Sequence, residues 1–268
     1  MIIAVHCHFL PMLPQLEWNK TQDKIKNPIK MKKILTFLFI LWNINNIYSS
    51  MKPFSNGDND IIEEKRQISS YENIEISGSY RIVFTNEKEG EITIKAPEKT
   101  LPLIKTEVQN HTLKIGMEDE KHKINPKTTI YIPTHSRIKT IIAKGALTIT
   151  DENDLIFSDL QLDLRGSGTM KLQLKANSLQ LNISGAGVVT LSGETKDFSA
   201  NINGAGNLKA QDFSSEKAVI HIKGAGKATA HVTRSVEATI AGTGKINISG
   251  NPPEQKKNIK GIGAIKIE

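Results

Sequence analysis

A G-x-G triplet returns six times in the C-terminal part of the chain, at Gly166 and Gly168, Gly185 and Gly187, Gly204 and Gly206, Gly224 and Gly226, Gly242 and Gly244, and Gly261 and Gly263. Successive triplets are 19, 19, 20, 18 and 19 residues apart. A period of this length, held this closely, marks a solenoid, in which each coil can bury its apolar face only against its neighbours.

The residues around the triplets say what kind of coil it is. Two places before the first glycine stand Leu164, Ile183, Ile202, Ile222, Ile240 and Ile259, and four places after it Met170, Val189, Leu208, Ala228, Ile246 and Ile265. Strict period-two alternation on both sides predicts two extended segments per coil, each with one face inward; a helical repeat would place apolar residues at steps of three and four. Six places before the glycine the column reads Leu160, Leu179, Phe198, Ala218, Val236 and then Gln255, so only the last coil departs, as an end coil should. Both glycines fall on the inward parity. The expectation is that a Cβ at either would strike the opposite wall or the neighbouring coil where the two segments bend. The expected fold is all-β, a parallel β-helix or β-solenoid of about 19-residue coils over 151–268.

Upstream, residues 31–50 carry two lysines, an apolar stretch from Ile34 to Trp42 and small residues at the end. They read as a secretory signal peptide cleaved near Ser49 or Ser50, too short in its apolar run to serve as a permanent membrane anchor. Residues 1–30 precede this leader without pattern and are expected to be an upstream mis-start. They hold Cys7, the single cysteine, so the mature chain is expected to be free of disulfides. Residues 51–66 read as a flexible linker, and 67–268 as the folded domain. Within it, 67–150 forms an irregular β-rich cap with strands at 74–77, 80–85, 91–95, 103–108, 112–116, 128–132 and 138–143, without the 19-residue clock. These strands are either the opening coils of the same solenoid or a small antiparallel unit covering its end, since an uncovered first coil would invite edge-to-edge pairing.

Charge and motif exclude several chemistries. The net charge of +7 falls to +3 once residues 1–50 are set aside, and aromatics are 5% of the chain, so nucleic acid is not an expected partner. A calcium β-roll needs an aspartate two residues after the second glycine, where this chain has Met170, Val189 and Leu208. No G-K-[ST] follows any triplet, which removes a phosphate loop. His221 and His231 lie ten residues apart without a ligand spacing, so no zinc site is expected. Asp151, Glu152, Asp154, Asp159 and Asp163 crowd together, as a cation or acid-base site or, the favoured reading, a solvated connection. The outward column three places before each triplet, Asp163, Asn182, Asn201, His221, Thr239 and Asn258, is a polar ladder. It can present hydrogen-bonding groups to a carbohydrate, or arise because stacked amides bond one another. No catalytic residue, cofactor or metal is assigned.

The run from Ile68-Ser69-Ser70-Tyr71-Glu72-Asn73-Ile74 to Gly78, the segment Ile130-Tyr131-Ile132-Pro133, 138–145, the serial S-G-x-G and N-G-x-G triplets, and Gly250-Asn251-Pro252 resemble the bacterial family called putative auto-transporter adhesin, head GIN domain. The resemblance covers nearly all of 67–268 and implies an exported β-solenoid of Bacteroidota-type bacteria without an established activity. Autotransport itself is not expected, because the final strand lacks the terminal aromatic of outer-membrane barrels and no barrel follows Glu268. The expected role is a non-enzymatic envelope or cell-surface interaction module, periplasmic or extracellular, with an envelope glycan or protein as partner. The alternatives are a β-helix glycan-active enzyme of the polysaccharide lyase kind and a structural protein that self-associates through its coils.

Overall fold

The computed structural model describes residues 60–117 and 127–268. The segment 1–30, the leader 31–50 with its cleavage site at Ser49 or Ser50, and residues 51–59 lie outside the described residues. Among those described, the elements in chain order are β1 (Ile61–Gln67), β2 (Asn73–Gly78), β3 (Arg81–Thr85), β4 (Glu91–Pro97), a 3-10 turn (Leu101–Leu103), β5 (Ile104–Gln109), β6 (Thr112–Met117), β7 (Thr129–Pro133), β8 (Thr140–Gly145) and β9 (Thr148–Asp151). There follow β10 (Leu155–Ile156), β11 (Asp159–Gly166), β12 (Thr169–Gly185), β13 (Val188–Gly204), β14 (Asn207–Gly224), β15 (Lys227–Gly242), β16 (Lys245–Ser249), β17 (Glu254–Gly261) and β18 (Ala264–Ile267). All join one sheet that winds into a parallel β-solenoid, as the period-two columns require.

Each of β12 to β15 runs from just after one triplet to the first glycine of the next, so the strand breaks only at the glycine corner. Their inward columns are buried: Leu181, Ala200, Ile220 and Ala238 are stacked in register, as are Ile183, Ile202, Ile222 and Ile240. The opposite, rear bend stays within the strand, where Phe198 and Phe213 meet edge to face with centroids 5.5 Å apart. There the register shifts between Thr190 and Ser192, and again between Ala210 and Lys217. Those bulges absorb the 20- and 18-residue intervals, leaving the glycine corner in step.

The corner corrects one expectation, because its two glycines do different jobs. The N–H of the residue between them donates to the first glycine's carbonyl in the preceding coil, as from Ala205 to Gly185 at 2.9 Å and from Ala225 to Gly204 at 2.9 Å. The ladder then continues past the corner, Asn207 donating to Gly187 and Lys227 to Gly206, both at 2.9 Å. The first glycine is partly exposed rather than inward, and it needs a positive φ: Gly204 has φ +117, and a Cβ there would lie 2.6 Å from the Gly185 carbonyl oxygen. The second glycine is buried. A Cβ on Gly206 would meet Ile183 Cγ2 at 2.7 Å, a side chain of the neighbouring coil, as the parity argument anticipated.

The ladder of first glycines is also longer than the triplets suggest. Gly78 pairs with Gly145, and Gly145 with Gly166, so β2–β3 and β8–β9 are two further coils. The sequence clock missed them because Tyr80 and Leu147 hold the place of the second glycine. Where regular coils put Ile or Leu two places before the corner, the Gly145 coil has the small Ala143, and it carries the bulky Leu147, 1% exposed, two places after the corner instead. The two sites trade volume at nearly constant packing.

Residues 86–117 and 127–139 leave the first coil and fold back over its end. β6 pairs with β2 and β7 with β3, both parallel, as one more layer. Antiparallel strands then cover this layer: β5 lies on β6, β4 on β7, and β1 on β4. Both readings of this portion therefore hold in part. β1 lies inside the stretch expected as linker, and its alternation of Ile62, Glu64 and Arg66 on the half-buried side hid it. Arg66 anchors it, donating to the carbonyls of Leu101 at 2.9 Å and Ile104 at 2.5 Å. The expected strand at 103–108 begins at Ile104, after the 3-10 turn.

Gly204→Ala is expected to lower the urea midpoint by the equivalent of about 3 kcal/mol, since it forces a positive φ and displaces a hydrogen-bonded carbonyl. Ala205→Ser, at the exposed corner residue between the glycines, is expected to stay within about 0.5 kcal/mol of the parent in the same titration.

Candidate functional site

The sheet of β11 and the glycine-proximal halves of β12 to β15, with β17, carries the polar ladder. Register places Asp163, Asn182, Asn201, His221, Thr239 and Asn258 in one column, as the period predicts. At its start the column is a chain of side-chain bonds. Asn182 Nδ2 donates to Asp163 Oδ1 at 2.6 Å, and Asn201 Nδ2 to Asn182 Oδ1 at 3.0 Å. Asp163 also accepts from Arg165 Nη2 at 2.9 Å and is only 5% exposed. The first rungs therefore spend their polar groups on one another, the behaviour of stacked amides. His221, Thr239 and Asn258 continue the column and are partly or fully exposed.

The carboxylates that crowd together in sequence fall into two groups, Asp151 with Asp154 around Gln173, and Asp159 with Asp163 on β11. Asp151 accepts from the backbone N–H of Gln173 at 3.2 Å, and Asp154 from Gln173 Nε2 at 2.5 Å. Asp159 accepts from Ser178 Oγ at 2.5 Å, in a different column from Asp163. Burial raises the pKa of the Asp151 carboxyl above its ordinary value; the Gln173 N–H opposes that rise, and the nearby Asp154 charge adds to it. Among the described residues, no group of three or more His, Cys, Asp or Glu side chains is placed to hold a metal ion. His231 Nδ1 lies 3.1 Å from Ser249 Oγ, and His221 stands on a different column opposite Thr239.

A groove of about 620 Å³ crosses five coils beside the ladder, lined by Ser178, Gln180, Asp197, Lys217, Val219 and Glu237 among others. Its floor is the backbone of an inward column that includes Phe198 and Ala218. Asp197 and Glu237 stand two coils apart, with Lys217 and Val219 on the coil between. Outward parity alone did not reveal this groove, whose lining is drawn from five coils.

A second cluster was invisible in the sequence because it joins residues 46 positions apart. His135 Nε2 lies 2.7 Å from Glu89 Oε1 without hydrogen-bond alignment, and Arg137 Nη2 lies 2.6 Å from Glu89 Oε2. Tyr71, 1% exposed, packs its ring 5.6 Å from that of His135 and donates its hydroxyl to the Pro133 carbonyl. Burial, and then the Glu89 charge, push the Tyr71 phenol well above the ordinary tyrosine range, so it stays protonated. This cluster clasps the turn at 86–90 to the turn at 134–138.

A family model described as "Putative auto-transporter adhesin, head GIN domain" matches residues 70–252. The crystal structure of a putative adhesin from Bacteroides fragilis is similar, with 26% identity and a TM-score of 0.72, covering 78% of this chain and 97% of that one. A putative lipid binding protein from Parabacteroides distasonis and a putative adhesin from Parabacteroides merdae share the fold. Each is 20% identical with a TM-score of 0.61, covering 79% of this chain and 98% of theirs. None of the curated proteins matches the chain. Among the described residues no helix is long and apolar enough to cross a membrane.

Asn182→Ala is expected to cost about 1–3 kcal/mol in chemical denaturation, because buried Asp163 loses a donor, whereas Asn258→Ala, at the exposed end of the column, is expected to change stability by less than about 0.5 kcal/mol. Asp151→Asn tests the pKa shift. A carboxyl raised by folding contributes stability below its unfolded pKa and loses it as pH rises through the folded value. The asparagine variant is therefore expected to melt higher than the parent near neutrality, with the gap closing on acidification through the carboxylate range.

Proposed function

We propose, because the chain belongs to the putative auto-transporter adhesin, head GIN domain family, that it is an exported, non-enzymatic interaction module of the cell surface that binds a partner along the outer faces of its solenoid. The observation that carries the reading is the family match over residues 70–252, together with the fold shared with an adhesin-named structure at 26% identity. The geometry supports it in two ways. Stacked coils present the same outward positions again and again at the spacing of a β-ladder, a surface suited to a repetitive or extended partner. The partly free lower rungs of the polar ladder, His221, Thr239 and Asn258, and the neighbouring groove offer hydrogen-bonding groups there.

A glycan-active enzyme is the reading this one competes with. It needs an acid and a base converging on one bond. In the groove, Asp197 and Glu237 stand on coils separated by a third, and Glu237 pairs with Lys256 at 2.9 Å. Export rests on the expected leader at 31–50 and on the family.

Purified protein incubated with envelope fractions and glycan arrays is expected to retain a reproducible partner and to release no product on prolonged incubation. Product that appears with the parent and vanishes with Asp197→Asn or Glu237→Gln would replace the binding module by an enzyme.

A further inference from the structure

The small overall charge conceals a sharp division between the two faces of the solenoid. Consider the outward positions one before, three after and five after the first glycine in the six regular coils, eighteen positions in all. The first column contributes Arg165, Lys223 and Lys260, and the second Lys227 and Lys245. The third adds Lys171, Lys209 and Lys266. Eight of the eighteen are basic and none is acidic. The corresponding eighteen positions seven, five and three before the glycine hold five acids, Asp159, Asp163, Asp197, Glu237 and Glu254, against only Lys217 and Lys256. The fold thus sorts a sequence of mixed charge into a basic stripe along the glycine corner and the strand that follows it.

The stripe is available for binding. Lys171, Lys209, Lys223, Lys227, Lys245 and Lys260 are all exposed. None of these six forms a salt bridge with a described residue; Arg165 and Lys266 do, with Asp163 and Glu268. Lys227 and Lys245 are direct neighbours across the β15–β16 ladder, about 4.8 Å apart in rung spacing. Like charges set opposite each other cost stability in the free protein, and an anion lying across them removes that cost.

We propose that this stripe binds a linear acidic polysaccharide, a chain of sugars bearing carboxylate or sulfate groups, laid along the solenoid axis. The inference rests on the reading of the protein as an interaction module and names the ligand class of that module. Charge complementarity selects a polyanion, and the residues between the lysines select among polyanions. Thr190, Thr229 and Asn247 share one column with Lys171, Lys209 and Lys266, and Thr169 and Asn207 share the other with Lys227 and Lys245. Hydroxyls and amides so placed can exchange hydrogen bonds with sugar hydroxyls. No Phe, Tyr or Trp lies on the segments between one residue before and seven after each glycine, and His231 is the one imidazole there, so the face offers no row of stacking platforms for the bases of a single-stranded nucleic acid. Among the described residues the exposed large apolar side chains are Ile61, Ile156, Val219, Ile259 and Ile262, of which Ile259 and Ile262 border the stripe at its last corner, so it has no apolar row to enter a lipid surface.

The test is binding of the purified full chain to immobilised polygalacturonate and heparin, beside neutral dextran, double-stranded DNA and anionic phospholipid vesicles, at about 50 and about 300 mM salt. The expected result is retention on at least one acidic glycan, weakened about tenfold or more by the salt increase, with no retention on dextran. Lys227→Gln with Lys245→Gln is expected to weaken binding about tenfold, and Lys88→Gln with Lys196→Gln, at exposed positions outside both the stripe and the groove, to leave it unchanged. Circular dichroism confirms that both double variants fold. Failure to bind either acidic glycan at low salt overturns the proposal, as do equal binding to dextran, tighter binding to DNA or to vesicles, and equal losses in the two double variants. If the acidic glycans fail while envelope fractions are still retained, the stripe falls and the interaction module stands; if both fail, the module falls with it.

Discussion

Everything in this solenoid depends on a backbone contact at one corner, where the carbonyl of a glycine in one coil accepts the N–H that follows the glycine stacked upon it. Eight such glycines lie in register, from Gly78 to Gly261. Because the hydrogen-bond ladder passes around the corner unbroken, no coil needs a loop there, and the inward columns on both sides are held at the same height. The core follows from that alignment, since Ile183 meets Ile202 and Ile222 only if the corners are level. A Cβ on the first glycine would intrude on the carbonyl that makes the contact, which is why chemistry as plain as a missing side chain sets the architecture.

This also explains which parts of the fold were legible in the sequence. Glycine at a positive φ with period-two aliphatics on either side leaves an unmistakable trace, so the regular coils and their columns could be read directly. The two opening coils left a weaker one, because Ala143 and Leu147 solve the same packing problem with the volumes exchanged, and Tyr80 does so with its hydroxyl bonded to the Ser77 carbonyl at 2.9 Å. β1 was illegible for another reason: its half-buried side includes Glu64 and Arg66, whose charges satisfy each other and backbone carbonyls instead of fleeing water. Of the candidate site residues, the column from Asp163 to Asn258 assembled as expected, since register alone determines it. The clasp of Glu89, His135 and Tyr71 did not show, because nothing local links its members.

The two outer faces make different use of the same repeat. On one, the first amide rungs bond to each other and to a buried carboxylate, giving up ligand capacity for stability. On the other, two lysines face each other across a rung, and six exposed lysines form no salt bridge with a described residue. A fold that repeats every position exaggerates such differences: a preference of a single residue in each coil becomes a continuous strip of one chemical character. Net charge averages the strips away, which is why +3 over residues 51–268 gave no hint of them.

The rear bend, where the bulges sit, has the opposite temperament to the glycine corner. It admits coils one residue longer or shorter than the norm, and between the first two coils it admits residues 86–139, which include several strands, without disturbing the alignment of Gly78 with Gly145. One side of the solenoid is thus a lock and the other a port. Length can be spliced in at the port, and new loops, capping layers or recognition segments can be acquired there by insertion while the stacking code written at the lock stays untouched.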